Sequence, residues 1–215
     1  VKIRFGDGCS GDLAQVLADE GAGRPLIVID AGLAAMVPGV ATALASLPDA
    51  LQYEKAPGEP TVALVEAVAA RLVESGCDSV VAIGGGSAID TAKGARLVAG
   101  QGGPYMRFAR GEATYEAPEL LLVCVPTTAG TGSEVSGGAV ITDEATHTKA
   151  GIASPLLRAQ HALVDPELTH GLPPRMTAYT GIDALAQAIA AMVVRVRTPI
   201  GDGIALESIR LAGDA

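Results

Sequence analysis

The chain has no tryptophan, two phenylalanines and 3% aromatic residues in 215. Its core must therefore be made from Val, Leu, Ile and Ala. Positive charge is also scarce: 15 Lys+Arg stand against 24 Asp+Glu, a formal charge of −9, and Lys and Arg form no cluster along the chain. Neutralising a phosphate backbone needs a positive field, so a nucleic-acid partner is not expected. Long apolar runs are missing as well. Stretches such as Leu120 to Val125 are strand length, and a membrane helix needs about 20 apolar residues, so no membrane partner is expected. The three cysteines, Cys9, Cys77 and Cys124, are odd in number and include no Cys-x-x-Cys pair. That argues against a disulfide framework and a thiolate zinc site, and for free thiols in a reducing compartment. Val1 to Phe5 reads as a strand with no signal-peptide series before it, and a cytoplasmic location is the expectation.

What the chain does have is aliphatic residues, 49% hydrophobic in all, and 27 glycines. The apolar runs alternate in kind. Leu26 to Ile29 and Ser79 to Ile83 are continuous and strand-like; helical sequence runs to about Leu47, and Thr61 to Glu74 carries Val62, Val65, Ala69, Leu72 and Val73 at helical spacing up to Gly76. Continuous apolar strands are covered on both faces, the mark of a parallel sheet in an α/β fold. A further strand, Leu120 to Val125, runs into Pro126-Thr127-Thr128-Ala129-Gly130-Thr131-Gly132-Ser133. After about residue 150 the texture changes, with Asp165-Pro166 and Pro173-Pro174 and then helices over Arg175 to Val194 and Ile200 to Ala212. The expected organisation is an α/β domain over 1–160 and the start of an all-α domain over 161–215. Met176, Tyr179, Ile182, Leu185, Ala186, Ile189, Met192 and Val193 make an apolar stripe, and two helices alone do not enclose it. The expectation is a larger helical domain or a partner.

The segment Ile83-Gly84-Gly85-Gly86-Ser87-Ala88-Ile89-Asp90-Thr91-Ala92-Lys93 turns a buried strand abruptly into a helix. Its glycines allow close backbone approach, and a helix N-terminus offers free N–H groups and a positive dipole end to a pyrophosphate. Ser87 is placed to cap and Asp90, three residues on, to complete a variant capping box. The alternative is a well-capped tight turn; a glycine triplet between strand and helix favours phosphate. The segment is neither a Walker loop nor Gly-x-Gly-x-x-Gly, which argues against ATP hydrolysis. Asp30 closes a strand, where a carboxylate accepts the hydroxyls of an adenosine ribose and repels a 2′-phosphate, favouring NAD over NADP; an ordinary helix cap is an equal reading. The loop Thr127 to Ser133 offers hydroxyls and N–H groups beside a strand's carboxyl end, where ligands of open α/β sheets sit. Asp183 and Gln187, at i and i+4, share one helix face and could ligate one ion, but an amide is a weak ligand and a polar helix face is the better reading. His147, His161 and His170 show no ligand spacing, and Glu134, Asp143, Glu144 and Lys149 read as solvated loop charges.

Gly84-Gly85-Gly86-Ser87 with Asp90 and Lys93, Pro126 to Val135, Ile141-Thr142-Asp143, and Thr180-Gly181-Ile182-Asp183-Ala184-Leu185, in that order, resemble the iron-containing (group III) alcohol dehydrogenase family. The resemblance runs through essentially the whole chain and covers that family's dinucleotide domain and the first helices of its helical domain. It implies a dehydroquinate synthase-like architecture with a cofactor cleft between two domains. Gly85, Gly86 and Ser87 would meet the pyrophosphate and Asp30 the adenosine ribose, while Asp90, Thr127, Thr128, Thr131, Lys149 and Leu168 match positions lining the cofactor site. The implied reaction is reversible hydride transfer between NAD and an alcohol or its aldehyde or ketone, with a divalent metal, Fe²⁺ or Zn²⁺, polarising the oxygen as a Lewis acid.

The family holds its metal with an Asp, a His one helical turn later and two further histidines. Asp183 matches the first ligand, Gln187 stands where the first histidine usually stands, and the later two would lie beyond Ala215. That departure points to altered metal preference or to a metal-independent branch like the maleylacetate reductases. Glycerol-dehydrogenase-like and dehydroquinate-synthase-like relatives typically lack the Pro126 to Glu134 loop. A catalytically silent NAD-binding module is the alternative from another class. The chain reads as part of a longer enzyme, incomplete for turnover by itself. Its substrate is beyond the sequence, with Gly137 and Gly138 only hinting at a backbone-lined corner, and the edge strand near Val1 to Phe5 and the apolar helices suggest a homodimer.

Overall fold

The computed structural model describes residues 1–214. They form two compact units, one made of 1–127 with 133–170 and the other of 128–132 with the described residues from 171 on.

The first unit is built on a parallel six-stranded sheet, with the continuous apolar runs among its strands. They are β1 (Lys2–Phe5), β2 (Pro25–Asp30), β3 (Leu51–Lys55), β4 (Ser79–Gly84), β5 (Leu121–Pro126) and, after a hairpin of β6 (Gly138–Asp143) and β7 (Thr148–Ala153), β8 (His161–Val164). The order is β1-β8-β5-β4-β2-β3, and each adjacent pair is parallel. Side chains alternate across a strand, so Ile27, Ile29, Val81, Ile83, Val123 and Val125 point to one face. There they meet α1 (Leu13–Asp19) and α3 (Pro38–Ala45) through Leu13, Val16, Leu17, Val40 and Ala43. Leu26, Val28, Val80, Ala82, Leu122 and Cys124 point the other way, onto α4 (Val62–Glu74) and α5 (Gly86–Gln101). Each fully buried aliphatic side chain contributes about 1.5–3 kcal/mol of transfer free energy. Strands that must satisfy both faces tolerate no polar alternation, which is why they are continuous in the sequence. The domain boundary expected at 160 falls just before β8, which is itself a sheet strand between β1 and β5.

Local chemistry sets the element ends. Thr61 caps α4 by accepting the Leu64 N–H at 3.2 Å, and the helix closes at Ser75 before Gly76 at φ 58°. The helical stretch expected up to Leu47 divides into α2 (Leu33–Met36) and α3, because Pro38 forces Val37 into an extended conformation. The antiparallel hairpin β6–β7 and the short α6 (Tyr105–Ala109) close a third cluster, with Ala139, Ile141 and Ile152 against Val65, Leu97, Tyr105 and Phe108. Asp165, just past β8, accepts the Gly8 N–H (3.1 Å), the Ser10 N–H (3.2 Å) and the Ser10 hydroxyl (2.6 Å), tying the turn after β1 to the sheet. Burial pushes the Asp165 carboxyl up, but these bonds outweigh it and hold the group below its ordinary value.

The second unit packs α7 (Pro174–Val193) on α8 (Pro199–Asp214), with the short segment 128–132 alongside. The pair leaves the apolar stripe of α7 largely open. Tyr179, Ile182, Ile189 and Val193 remain 48–76% exposed, whereas Ala188 of α7 and Ala205 of α8 are buried. The small side chains let the two helices approach closely, and closeness decides the interface over side-chain size. No helix among the described residues is long and apolar enough to cross a membrane.

Candidate functional site

In the first unit, β2 is followed by helices on one face of the sheet and β4 by α5 on the other. Chains leaving adjacent strands to opposite faces open a crevice at the strands' carboxyl ends, the place where ligands of such sheets sit. Gly84 ends β4 there at φ +152°, and a Cβ on it would lie 2.8 Å from the Ala88 Cβ and 3.1 Å from Asp30 Oδ2. Both the backbone conformation and the space demand glycine. Gly85 is the extended N-cap of α5 and provides no side-chain cap. The capping box expected of Ser87 and Asp90 is not formed. Ser87 donates its hydroxyl to the Gly58 carbonyl, and Asp90 Oδ2 accepts the Val140 N–H at 3.0 Å. One side chain is drawn to the loop after β3 and the other to β6, so the first-turn N–H groups of a sixteen-residue helix are left without a side-chain cap. That end of the helix is suited to an anion.

The expected site residues of this unit gather around that turn. Asp30 does not cap the next helix, whose N-cap is Gly32; it accepts instead from the Lys55 ammonium. Thr127, at the end of β5, is buried and donates its N–H to the Gly84 carbonyl at 3.0 Å. Lys149 is a strand residue of β7. Its Nζ reaches Thr142 Oγ1 at 3.1 Å and pairs with Glu59, next to the Gly58 that receives Ser87. Lys149 thereby connects to the α5 turn through the loop after β3, and it holds the Glu59 carboxyl below its usual range. Asp90 Oδ1 is buried with no hydrogen-bond partner. Burial raises its pKa, against the opposing Val140 N–H, the Lys93 ammonium and the Ser133 hydroxyl. Leu168, in the turn Pro166–Thr169 that follows β8, is fully buried, and its Cδ2 lies 2.6 Å from the place a Cβ on Gly39, at the start of α3, would take.

Thr128, Thr131, Asp183 and Gln187 fall in the second unit. The segment 128–132 lies close on α7: a Cβ on Gly130 would come within 2.9 Å of the Thr180 carbonyl oxygen. Gln187 Nε2 donates to Asp183 Oδ2 at 2.8 Å, so the two polar side chains satisfy each other on the helix surface. Among the described residues no three His, Cys, Asp or Glu side chains are grouped to hold a metal. One carboxylate and one amide supply too few donors for Fe²⁺ or Zn²⁺, which take about four or more. The described residues do not by themselves fit the metal that the resemblance implies.

Three residues of the first unit's site were not singled out by sequence: Lys55, Glu59 and, as a buried group, Lys93. Lys93 is fully buried on α5 and donates to the Ser136 carbonyl (2.9 Å), the Ser136 hydroxyl (3.1 Å) and the Gly138 carbonyl (2.7 Å), holding the start of the hairpin. Its signal was present, since it lies between Ala92 and Ala95 on a helix whose other small residues face the core.

A family model described as iron-containing alcohol dehydrogenase matches residues 1–166. A 4-hydroxybutyrate dehydrogenase of Cupriavidus necator is 42% identical over 193 residues, 86% of this chain and 50% of that protein. A sulfoacetaldehyde reductase of Bifidobacterium kashiwanohense, solved in complex with NAD⁺, superposes with a TM-score of 0.92 at 31% identity, covering 99% of this chain and 57% of that one. An NADH-dependent butanol dehydrogenase of Thermotoga maritima superposes with a TM-score of 0.92 at 25% identity, covering 100% and 55%. The chain spans about half the length of the relatives it matches.

Proposed function

This chain belongs to the iron-containing alcohol dehydrogenase family, and from that premise we propose that it supplies the nucleotide-binding part of an oxidoreductase that moves a hydride between NAD and an alcohol or its carbonyl form. The observation that carries this reading is the α5 turn: a sixteen-residue helix whose N-terminus opens without a side-chain cap at the carboxyl ends of β2 and β4. In this proposal the N–H groups of Gly86 and Ser87 receive the pyrophosphate and the Asp30 carboxylate receives the adenosine ribose. Thr127 and Asp90 line the same edge, and Lys149 orders the loop that Ser87 grips. Leu168 supports the region from the core. Asp183 is retained as a candidate metal ligand with Gln187 beside it, and no chemical step is assigned to these two alone.

The relatives act on substrates as different as 4-hydroxybutyrate and sulfoacetaldehyde by name, so the proposed substrate class is a small alcohol or aldehyde. The helices of the second unit, with Ile182 and Val193 exposed, would begin a helical domain. A homodimer in the cytoplasm completes the reading. Ile3 and Phe5 on the edge strand β1, 57% and 75% exposed, support the first part, and three free cysteines the second.

The test is a titration of the chain with NADH followed by nicotinamide fluorescence. Saturable binding at one site is expected. A signal that rises linearly without saturation would remove the nucleotide reading.

A further inference from the structure

The register of the sheet sets Lys55, the last residue of β3, directly beside Asp30, the last of β2. The Lys55 side chain is fully buried, while Asp30 keeps 24% of its side-chain surface. The ammonium donates to Asp30 Oδ1 and to the Ala56 carbonyl, the latter at 3.1 Å. A buried ammonium is tolerated only when paired, so Lys55 both requires Asp30 and holds it in place. Asp30 Oδ2 lies on the other side, toward Gly84, and remains available to accept a hydroxyl.

This arrangement changes what Asp30 can reject. An unpaired carboxylate at the end of β2 would accept ribose hydroxyls and repel a 2′-phosphate by its charge. Here the carboxylate is one half of a neutral pair: the hydrogen-bond acceptor survives and most of the repulsion does not. We infer that Lys55 is a specificity-determining residue of the nucleotide site, cancelling the charge by which Asp30 would exclude a 2′-phosphate, so that NADPH is admitted alongside NADH. Lys55 acts through Asp30 and is a positioning residue. The inference rests on the nucleotide reading proposed above.

The experiment measures Kd for NADH and for NADPH by fluorescence in the unaltered chain, in Lys55→Gln and in Asp30→Asn. In the unaltered chain the two constants are expected to differ by less than about tenfold, where one uncompensated charge at close range in a partly wetted site is worth roughly that factor or more. Lys55→Gln keeps a donor for Asp30 but removes the charge, and the NADPH:NADH ratio of Kd should rise by at least about fivefold. Asp30→Asn leaves the ammonium uncompensated and should turn the preference toward NADPH. A purely structural role for Lys55 would move both constants together and leave their ratio fixed. A smaller rise in Lys55→Gln overturns the inference, as does discrimination above about tenfold in the unaltered chain. The second criterion decides alone if the variant does not fold. Binding of neither nucleotide overturns the underlying reading and this inference with it.

Discussion

Gly86→Val is expected to weaken NADH binding by at least about a hundredfold while leaving the fold intact. Gly84 is glycine because its backbone and its neighbours require it, but Gly86 is the first residue of α5, a helical position that side chains ordinarily occupy. Its backbone conformation does not call for a glycine there. Close approach of a ligand to the backbone does, and a branched Cβ would stand where the pyrophosphate meets the N–H groups. The helix itself does not suffer, since valine is a slightly better helix former than the glycine it replaces. The checks are the NADH titration and a thermal melt run together. Undiminished affinity would take the phosphate away from the α5 turn, whatever else the chain binds.

Lys93→Met should destabilise the first unit by about 3 kcal/mol, roughly 10 °C in Tm for a chain of this size. Methionine matches the lysine's length but donates nothing, so the Ser136 and Gly138 carbonyls and the Ser136 hydroxyl lose the donor that joins them. Asp90 loses the nearest cation as well. The effect carries a pH signature. Burial pushes the Lys93 pKa down, against the pull of Asp90, Cys124 and Glu134. The unfolded chain therefore binds more protons than the folded one between the lowered and the ordinary lysine values, and stability from this group rises with pH across that window. The gap between the unaltered chain and Lys93→Met should widen as the pH is raised. Differential scanning calorimetry at several pH values checks it, and a Tm difference below about 3 °C at all of them would mean that Lys93 does not hold the hairpin.

The elements that read clearly in the sequence are those for which burial dictates composition. β2, β4 and β5 are covered on both faces and so are continuous apolar runs, and α4 shows its buried positions at helical spacing with Thr61 as its cap. β3 did not stand out. As an edge strand it is largely exposed, and Leu51-Gln52-Tyr53-Glu54-Lys55 carries too much polarity to be read as a strand. The hairpin β6–β7 was equally hidden, because one of its faces is solvated and Gly, Thr and Ala dilute its alternation. The glycine turn of the candidate site was legible because a triplet between strand and helix is a local signal. Its surroundings were not: Ser87 and Asp90 obey the spacing of a capping box, yet tertiary neighbours, Gly58 and Val140, take both side chains. The Lys55–Asp30 pair joins residues 25 positions apart, and only the sheet register brings them together. On α7 the aliphatic stripe stays largely exposed, as two helices alone do not enclose it, and alanine packing sets the helix pair.

The most direct test of the central claim is amide hydrogen exchange of the chain with and without saturating NADH. The account predicts slowed exchange concentrated at the first turn of α5, from Gly86 to Asp90, and at Thr127 at the end of β5. Exchange unchanged at these positions, or protection appearing instead at the opposite end of the sheet around Ser79 and Leu121, would contradict it.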